Sequence, residues 1–377
     1  MASRLYSATC PLFAQVLFFL TSLGLVQLGG PTMLALIALY VAGLILLDVH
    51  QTQTRVTHFL PGRCHDALNR LLRVMPLSTR LLMALVIAWV KRLGQPGYLC
   101  LDDVIIEKAF AKKLPWAGWT YSFAKKRKVY GLHVVVLLWC SLDGHWRIPV
   151  AFRLWRPKRS CSKHDYRTKL QLAEQMVKDI ITAGLACEYI VFDTQYTAGW
   201  FTKLLSRLGL IWVGTLQPAT TVIWRGRRCS IAELALVLKL KWRKHLEVRA
   251  VALRVYAPKY GVLRLVVTRN RHGNYEYIVS NDLGADLTTL VERKRSRWSI
   301  ETIFRDSKQF AGLEACQCWV DQAMVRHVAF VLLTFVVLQM MRTNPTESVG
   351  AVKERWQVDV VRRGEVPPVP LKARQPL

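Results

Sequence analysis

Apolar residues follow two different rhythms along this chain, and the change comes at Gly94-Gln95-Pro96-Gly97. Before it the spacing is helical. Pro11 to Leu28 and Met33 to Leu47 are apolar almost throughout, with Gly29-Gly30-Pro31 between them, and read as two buried helices joined by a turn. Leu68, Leu71, Leu72 and Met75 recur at helical spacing, with Arg63, Arg70 and Arg73 forming a basic side, and Thr79 to Val90 is another apolar helix. Residues 1–97 therefore predict an all-α region, in which the Pro61-Gly62 break is compatible with a DNA-binding helix-turn-helix.

After Gly97 the runs shorten. Tyr98 to Ile106 (YLCLDDVII) reads as a buried strand holding two aspartates. A basic loop, Lys112 to Lys128, follows; it contains Trp116, Trp119 and the run Lys125-Lys126-Arg127-Lys128. Val129 to Leu142 is rich in β-formers, Asp143-Gly144 is a hairpin turn, and His145 to Trp155 returns as the partner strand. Leu170, Ala173, Val177, Ile180 and Ile181 mark an amphipathic helix ending near Gly184. Tyr189 to Asp193 is a second buried strand, then come a helix through Trp200, Leu204 and Leu205 and a strand at Leu210 to Thr215. Strand, hairpin, strand, helix, strand, helix is the order of an RNase H-like core. The fold class expected is α/β: an RNase H-like mixed sheet, a β-rich insertion and an N-terminal all-α domain. The divisions expected are 1–97, helical; 98–216, first part of the core; 217–285, the insertion; 286–342, second part of the core, with helix from about Leu290 to Phe310; and 343–377, a partly disordered tail holding five prolines.

Charge narrows the partners. Lys and Arg number 53 against 25 acidic residues, a net of +28, which calls for a polyanion. Nucleic acid is favoured over a membrane. The first apolar run is interrupted by Gln15, Thr21, Ser22 and Gln27, the second is shorter than the ~20 residues a span needs, and no cleavage site follows the run after Arg4. The nine cysteines are odd in number and scattered, with only Cys316-x-Cys318 close together, which fits a reducing, cytoplasmic compartment.

The chemistry rests on carboxylates. Asp193 ends YIVF and Asp102-Asp103 follow YLCL, where a buried charge needs a partner or a cation. If the two strands are neighbours, their acids lie a few ångströms apart, and hard oxygen ligands suit Mg²⁺ or Mn²⁺. Taken singly, each aspartate reads equally well as a turn or cap residue. Glu301 sits in ERKRSRWSIETIFRDSKQF, where Arg297, Glu301, Arg305 and Lys308 share one helical face. Alone, that stripe reads as a solvated face of Arg–Glu pairs. His133 and His145 read as strand histidines, and no phosphate-binding Gly-rich loop is present.

Taken together, these segments resemble bacterial insertion-sequence DDE transposases, whose signature is Y-x-x-R-x-x-x-E-x(6)-K. Arg297, Glu301 and Lys308 stand at the matching spacings in RWSIETIFRDSK, with Lys294 in place of the tyrosine. LDDVIIEK, VFDTQYTAGWF and Tyr166-Arg167-Thr168-Lys169 extend the resemblance over roughly residues 98 to 312. It implies Asp102, Asp193 and Glu301 as catalytic ligands of two Mg²⁺ or Mn²⁺ ions, with Asp103 an alternative first ligand because Val104 replaces the family's threonine. It implies phosphate contacts from Arg297, Lys308, Arg305 and Lys294, and backbone affinity from Lys125, Lys126, Arg127 and Lys128. It further implies cleavage and strand transfer of DNA by a homodimer bound to transposon ends and target, in the cytoplasm at the nucleoid. The alternatives are an RNase H-like nuclease that cuts without joining, and an inactive transposase-derived DNA-binding protein.

Overall fold

The computed structural model describes residues 11–48, 56, 65–109, 114, 116–122 and 125–363. The N-terminal helices are α1 (Pro11–Ser22), α2 (Gly30–Leu46), α3 (His65–Arg73) and α4 (Thr79–Arg92). Pro61, Gly62 and Arg63, which carried the helix-turn-helix expectation, lie outside the described residues. Ser78 caps α4 by accepting from the Leu81 N–H.

Strands β1 (Gly97–Glu107), β2 (Gly118–Ser122), β3 (Arg127–Ser141) and β4 (Arg147–Trp155) follow, then α5 (Lys169–Thr182), β5 (Ile190–Phe192), α6 (Gly199–Arg207) and β6 (Trp212–Thr215). β3 runs antiparallel to β1, β2 and β4, while β5 lies parallel to β1 and β6 parallel to β5. The result is a mixed sheet flanked by helices, an α/β fold with an N-terminal helical region. The supposed basic loop 112–128 proves to contain a strand. Gly118–Ser122 alternates between half-buried and exposed positions and pairs with Arg127–Gly131 of β3, so Arg127 and Lys128 are strand residues.

The segment 217–285 continues this same sheet. It comprises β7 (Thr221–Trp224), β8 (Arg227–Ser230), α7 (Ile231–Val237), β9 (Lys241–Arg243), β10 (Val248–Ala257), β11 (Gly261–Arg269) and β12 (Tyr275–Ser280). β12 pairs antiparallel with β6, giving twelve strands in the order β2-β3-β1-β5-β6-β12-β11-β10-β7-β8, with β4 on β3 and β9 on β10.

Among the described residues four helices follow: α8 (Leu287–Ser296), α9 (Trp298–Phe310), α10 (Asp321–Met340) and α11 (Val349–Arg362). The single helix expected from Leu290 to Phe310 is two, broken at Arg297. The carbonyl of Ser296 accepts from Cys100 Sγ, and its hydroxyl donates to Arg293 O, so this residue's bonds turn toward β1 and the preceding turn. Within the segment from 343 that was expected to be partly disordered, 349–362 is helical, with Val352, Lys353 and Val360 buried. Four of the five prolines lie beyond residue 366, so none interrupts α11.

The apolar N-terminal helices pack against this C-terminal layer, α2 touching α10 and α11. Polar groups buried there satisfy backbone oxygens. Arg326 donates to Leu71 O and Leu72 O, and Lys353 donates to Leu44 O, Leu47 O and Phe310 O, near the ends of α3, α2 and α9. Among the described residues only α10 is long and apolar enough to cross a membrane, and 89% of its most apolar window is buried inside the protein.

Candidate active site

Successive residues of a strand point to opposite faces, so Asp102 and Asp103 cannot share a site. The sheet register carries the rest. Leu101 pairs with Phe192 across the parallel β1–β5 ladder, which sets the next residues side by side, Asp102 midway along β1 and Asp193 just past the end of β5. Sequence reasoning required these two strands to be adjacent, and they are.

On the Asp102 face the α8–α9 junction is docked onto β1 and β5. Tyr98 and Tyr189 stack with ring centroids 4.9 Å apart; Tyr98 hydrogen-bonds Ser299 and Tyr189 hydrogen-bonds Ser296, each at 3.2 Å. This fixes Arg297 beside the carboxyl end of β5, over the middle of β1. Its Nη1 donates to Asp102 Oδ2 at 2.8 Å, and its Nη2 donates to Glu301 Oε1. One guanidinium thus joins Asp102 and Glu301, acids 199 positions apart in sequence.

The electrostatics of this face are unfavourable without a cation. Burial, with the Asp193 charge added, pushes the Asp102 carboxyl up to about 7 despite Arg297. Asp193 is also raised by burial, against backbone hydrogen bonds that favour its charge. Those bonds, from Gln195 N at 2.9 Å and Tyr196 N at 3.3 Å, both use Oδ1 and leave Oδ2 without a protein donor among the described residues. The turn after Asp193 lies directly on β6: a Cβ on Gly214 would come within 2.6 Å of Thr197 Oγ1 and 2.8 Å of the Phe192 ring. The pKa of Arg297 is raised, because Asp102 and Glu301 outweigh the burial that opposes its charge.

On the opposite face Asp103 is saturated. Its Oδ2 accepts from Lys169 Nζ at 2.5 Å and contacts His133 Nδ1 at 3.1 Å, and its Oδ1 accepts from Tyr196 Oη at 3.0 Å. Burial pushes its pKa up, but His133 and Lys169 together bring it below the usual carboxylate range. Neither Lys169, Tyr196 nor the role of His133 emerged from sequence as part of this arrangement. The available signal was the alternation itself, which separates two adjacent buried aspartates into two environments.

The remaining candidates are dispersed. Lys308 pairs with Glu314 at 3.0 Å and Lys294 with Glu276 at 2.9 Å. Arg305 binds the neighbouring Asp306 at 3.2 Å. Lys125 and Arg127 both bind Glu107, at the far end of β1. Lys126 and Lys128 enter no ion pair among the described residues. Half of the eight basic residues singled out from sequence, Lys125, Arg127, Lys294 and Lys308, are therefore paired within the protein, by Glu107, Glu276 and Glu314.

Among the described residues no three His, Cys, Asp or Glu side chains are grouped closely enough to hold a metal ion as they stand. The donor set still fits a hard divalent cation. Asp102, Asp193 and Glu301 offer only carboxylate oxygens, two of the three are held above their ordinary pKa by burial, and a guanidinium supplies the counter-charge.

The sequence pattern of a family described as DDE superfamily endonuclease matches residues 25–231, more than half of the chain. The chain belongs to that family. The match takes in Asp102, Asp103 and Asp193 and ends before Glu301. Among solved structures the chain is similar to a piggyBac transposase synaptic complex with hairpin DNA, determined by cryo-EM, with a TM-score of 0.49 and 12% identity over 96% of this chain and 81% of that one. No curated protein matches it.

Proposed function

We propose that this DDE-family chain is a transposase that cuts and rejoins DNA strands, with Asp102, Asp193 and Glu301 as its metal-binding carboxylates. The single observation that carries the reading is the convergence of Asp102 and Glu301 on one guanidinium, with Asp193 on the adjacent strand. The strand order β4-β3-β1-β5-β6, antiparallel then parallel, supports an RNase H-like core beneath these acids.

Bound Mg²⁺ or Mn²⁺ would supply activation of an attacking water or 3′-hydroxyl and stabilisation of the leaving oxygen. The protein's part is to hold three carboxylates beside the carboxyl end of β5. Strands β1 and β5 fix the two aspartates, and the docked α8–α9 junction brings Glu301 to them. Arg297 supplies the counter-charge shared by Asp102 and Glu301, and its charge-assisted donors are suited to a DNA phosphate. Asp102 is the better first ligand than Asp103, whose oxygens are engaged by Lys169, His133 and Tyr196. Joining two DNA ends implies a homodimer on DNA, and an element of bacterial insertion-sequence type implies action in the cytoplasm.

The test uses the chain's own flanking DNA as substrate. The full-length protein is expected to nick the element's ends with Mg²⁺ and join them to a target, whereas Asp193→Ala and Glu301→Ala bind the ends without cutting. Nicking without joining would reduce the reading to a nuclease. Metal-dependent cutting that survives Glu301→Ala would overturn the site.

A further inference from the structure

A cavity at the outer edge of the sheet has no role in the acidic site. It lies between the N-terminus of α4 and the C-terminal half of β4, with a volume of about 170 Å³, and Arg80, Arg153, Arg156, Thr79 and Trp116 are among its lining residues. Three guanidinium groups share this space. Arg153 donates to Asp179 Oδ2 at 2.6 Å and to Phe152 O at 2.8 Å, and its buried Nε has no partner. Arg156 lies with its guanidinium carbon 3.7 Å from the centre of the Trp116 ring, a geometry that holds the fork in place while leaving its edge open. Arg80 is the second residue of α4, in its first turn, and neither it nor Arg156 enters an ion pair among the described residues.

The charge balance favours an anion. Burial and then, after Asp179 is counted, the nearby Arg80 charge both act to lower the pKa of Arg153. Asp179 faces Arg153, and Asp321 feels Arg156, but burial raises the Asp321 pKa and leaves its Oδ1 without a partner. Like charges held this close are repulsive until an opposite charge sits between them. The first turn of α4 adds its free N–H groups and the positive end of its dipole.

We propose that this cavity binds one phosphate group, gripped by Arg80, Arg153 and Arg156 beside the N-terminus of α4. Arginine forks match phosphate oxygens bidentately, and the volume exceeds what one phosphate needs. The position suggests which phosphate. Arg153 pairs with Val135 across β3–β4, and Val135 pairs with Asp103 across β1–β3, so the cavity lies two strands, about 10 Å, from the strand that carries the first acid of the candidate site. A phosphodiester of DNA passing this edge of the sheet is the source that this distance favours. That source rests on the transposase reading above; phosphate binding itself does not, and a free phosphate would use the same donors.

The experiment compares the full-length protein with the double variant Arg80→Gln/Arg156→Gln, both exposed positions whose change leaves the core intact. Thermal unfolding is followed with inorganic phosphate against sodium chloride at matched ionic strength. The wild type is expected to gain about 1–3 °C at roughly tenfold excess over Kd, and the variant to show no phosphate-specific gain. Salt dependence of DNA binding is the second arm. A slope of log K against log salt shallower by about one or two in the variant assigns a DNA phosphate as occupant, and an unchanged slope assigns free phosphate. Glu301→Gln is expected to keep the phosphate shift whatever happens to cleavage, which separates this proposal from the catalytic one. A wild type that responds equally to phosphate and chloride, or a variant that keeps the full shift, would overturn it.

Discussion

Asp102 and Asp103 are consecutive residues of one strand, yet the two faces of β1 treat them oppositely. Asp103 has a lysine, a histidine and a tyrosine hydroxyl for itself, and its pKa falls. Asp102 shares a single arginine with Glu301, has Asp193 beside it, and its carboxyl rises to about 7. Equal burial can therefore mean two things. On one face the charge is structural and its counter-charges are permanent. On the other it is under-compensated, and a cation from solution would gain from binding there. What distinguishes the faces is the element packed on each: α5, bringing Lys169, against the broken α8–α9 helix, bringing Arg297 and Glu301.

The sharpest way to break this comparison is to remove the acids separately. Asp102→Asn, Asp193→Asn and Glu301→Gln should each lower metal-dependent nicking on the order of 10³-fold or more, since metal coordination supplies several kcal/mol at the reacting oxygens. Asp103→Asn should leave a far larger share of the nicking rate in whatever fraction of the protein folds. Single-turnover nicking, normalised to folded protein by near-ultraviolet circular dichroism, reads the difference. If Asp103→Asn were as inactive as Asp102→Asn while fully folded, the two faces would have been assigned the wrong way round.

The next largest effect runs in the opposite direction. Asp103→Ala leaves the Lys169 ammonium, only 18% exposed, without its carboxylate and takes the acceptor from His133 and Tyr196. Its cost should be about 2–4 kcal/mol, the lower part of the range for breaking a buried pair because some solvent reaches Lys169. Adding Lys169→Met should recover part of that loss. Urea midpoints of the three proteins decide it, and a cost below that of an ordinary surface substitution would show the network to be idle.

How much of this was legible in the sequence differs between the elements. YLCLDD and YIVFD marked their strands because a buried apolar run ending in acid has few other solutions, and the hairpin at Asp143-Gly144 fixed where β3 returns as β4. The twelve-strand continuity was not legible, since pairing of β12 with β6 joins residues far apart and leaves no local pattern. The break at Arg297 was hidden as well. RKRSRWSIETIF keeps helical periodicity throughout, and what interrupts it is Cys100 and the stacked Tyr98 and Tyr189. The basic residues misled most. Sequence lists charges without their partners, and Glu107, Glu276 and Glu314 had already claimed Lys125, Arg127, Lys294 and Lys308.

A pH titration of stability sharpens the comparison without touching catalysis. The Asp102 pKa of about 7 lies above its unfolded value of about 4, so its contribution is fully present below pH 4 and is lost as pH rises through 7. Asp193, also raised, acts in the same direction. Asp103, lowered, does the reverse: its contribution is present above about pH 4 and is lost as pH falls through the folded value. Urea midpoints of metal-free wild type minus those of Asp102→Asn should therefore fall between pH 4 and 7 by at most about 4 kcal/mol in free energy. Added Mg²⁺ should restore stability more at pH 8 than at pH 5, because its ligands must be deprotonated. A wild type and an Asp102→Asn variant with parallel profiles would mean that the carboxylate is not raised in the folded protein.

The smallest expected effect joins the two faces. Tyr196 donates its hydroxyl to Asp103 Oδ1, and its own backbone N–H donates to Asp193 Oδ1, so one residue links the saturated aspartate to the turn that aims the under-compensated one. Tyr196→Phe keeps the ring, which is fully buried, and deletes only the hydroxyl. Its stability cost should be about 1 kcal/mol, one hydrogen bond to a charged acceptor partly offset by Lys169 and His133. If the hydroxyl also sets the pose of Asp193, the Mg²⁺ concentration for half-maximal nicking should rise by about tenfold, as for other residues that orient a metal ligand from behind, with the rate at saturating Mg²⁺ little changed. A purely structural tyrosine would lower the fraction folded and leave that midpoint where it was. A shift in the midpoint with the melting curve barely moved would show that the two environments, separated by the pleat of one strand, are mechanically connected through this side chain.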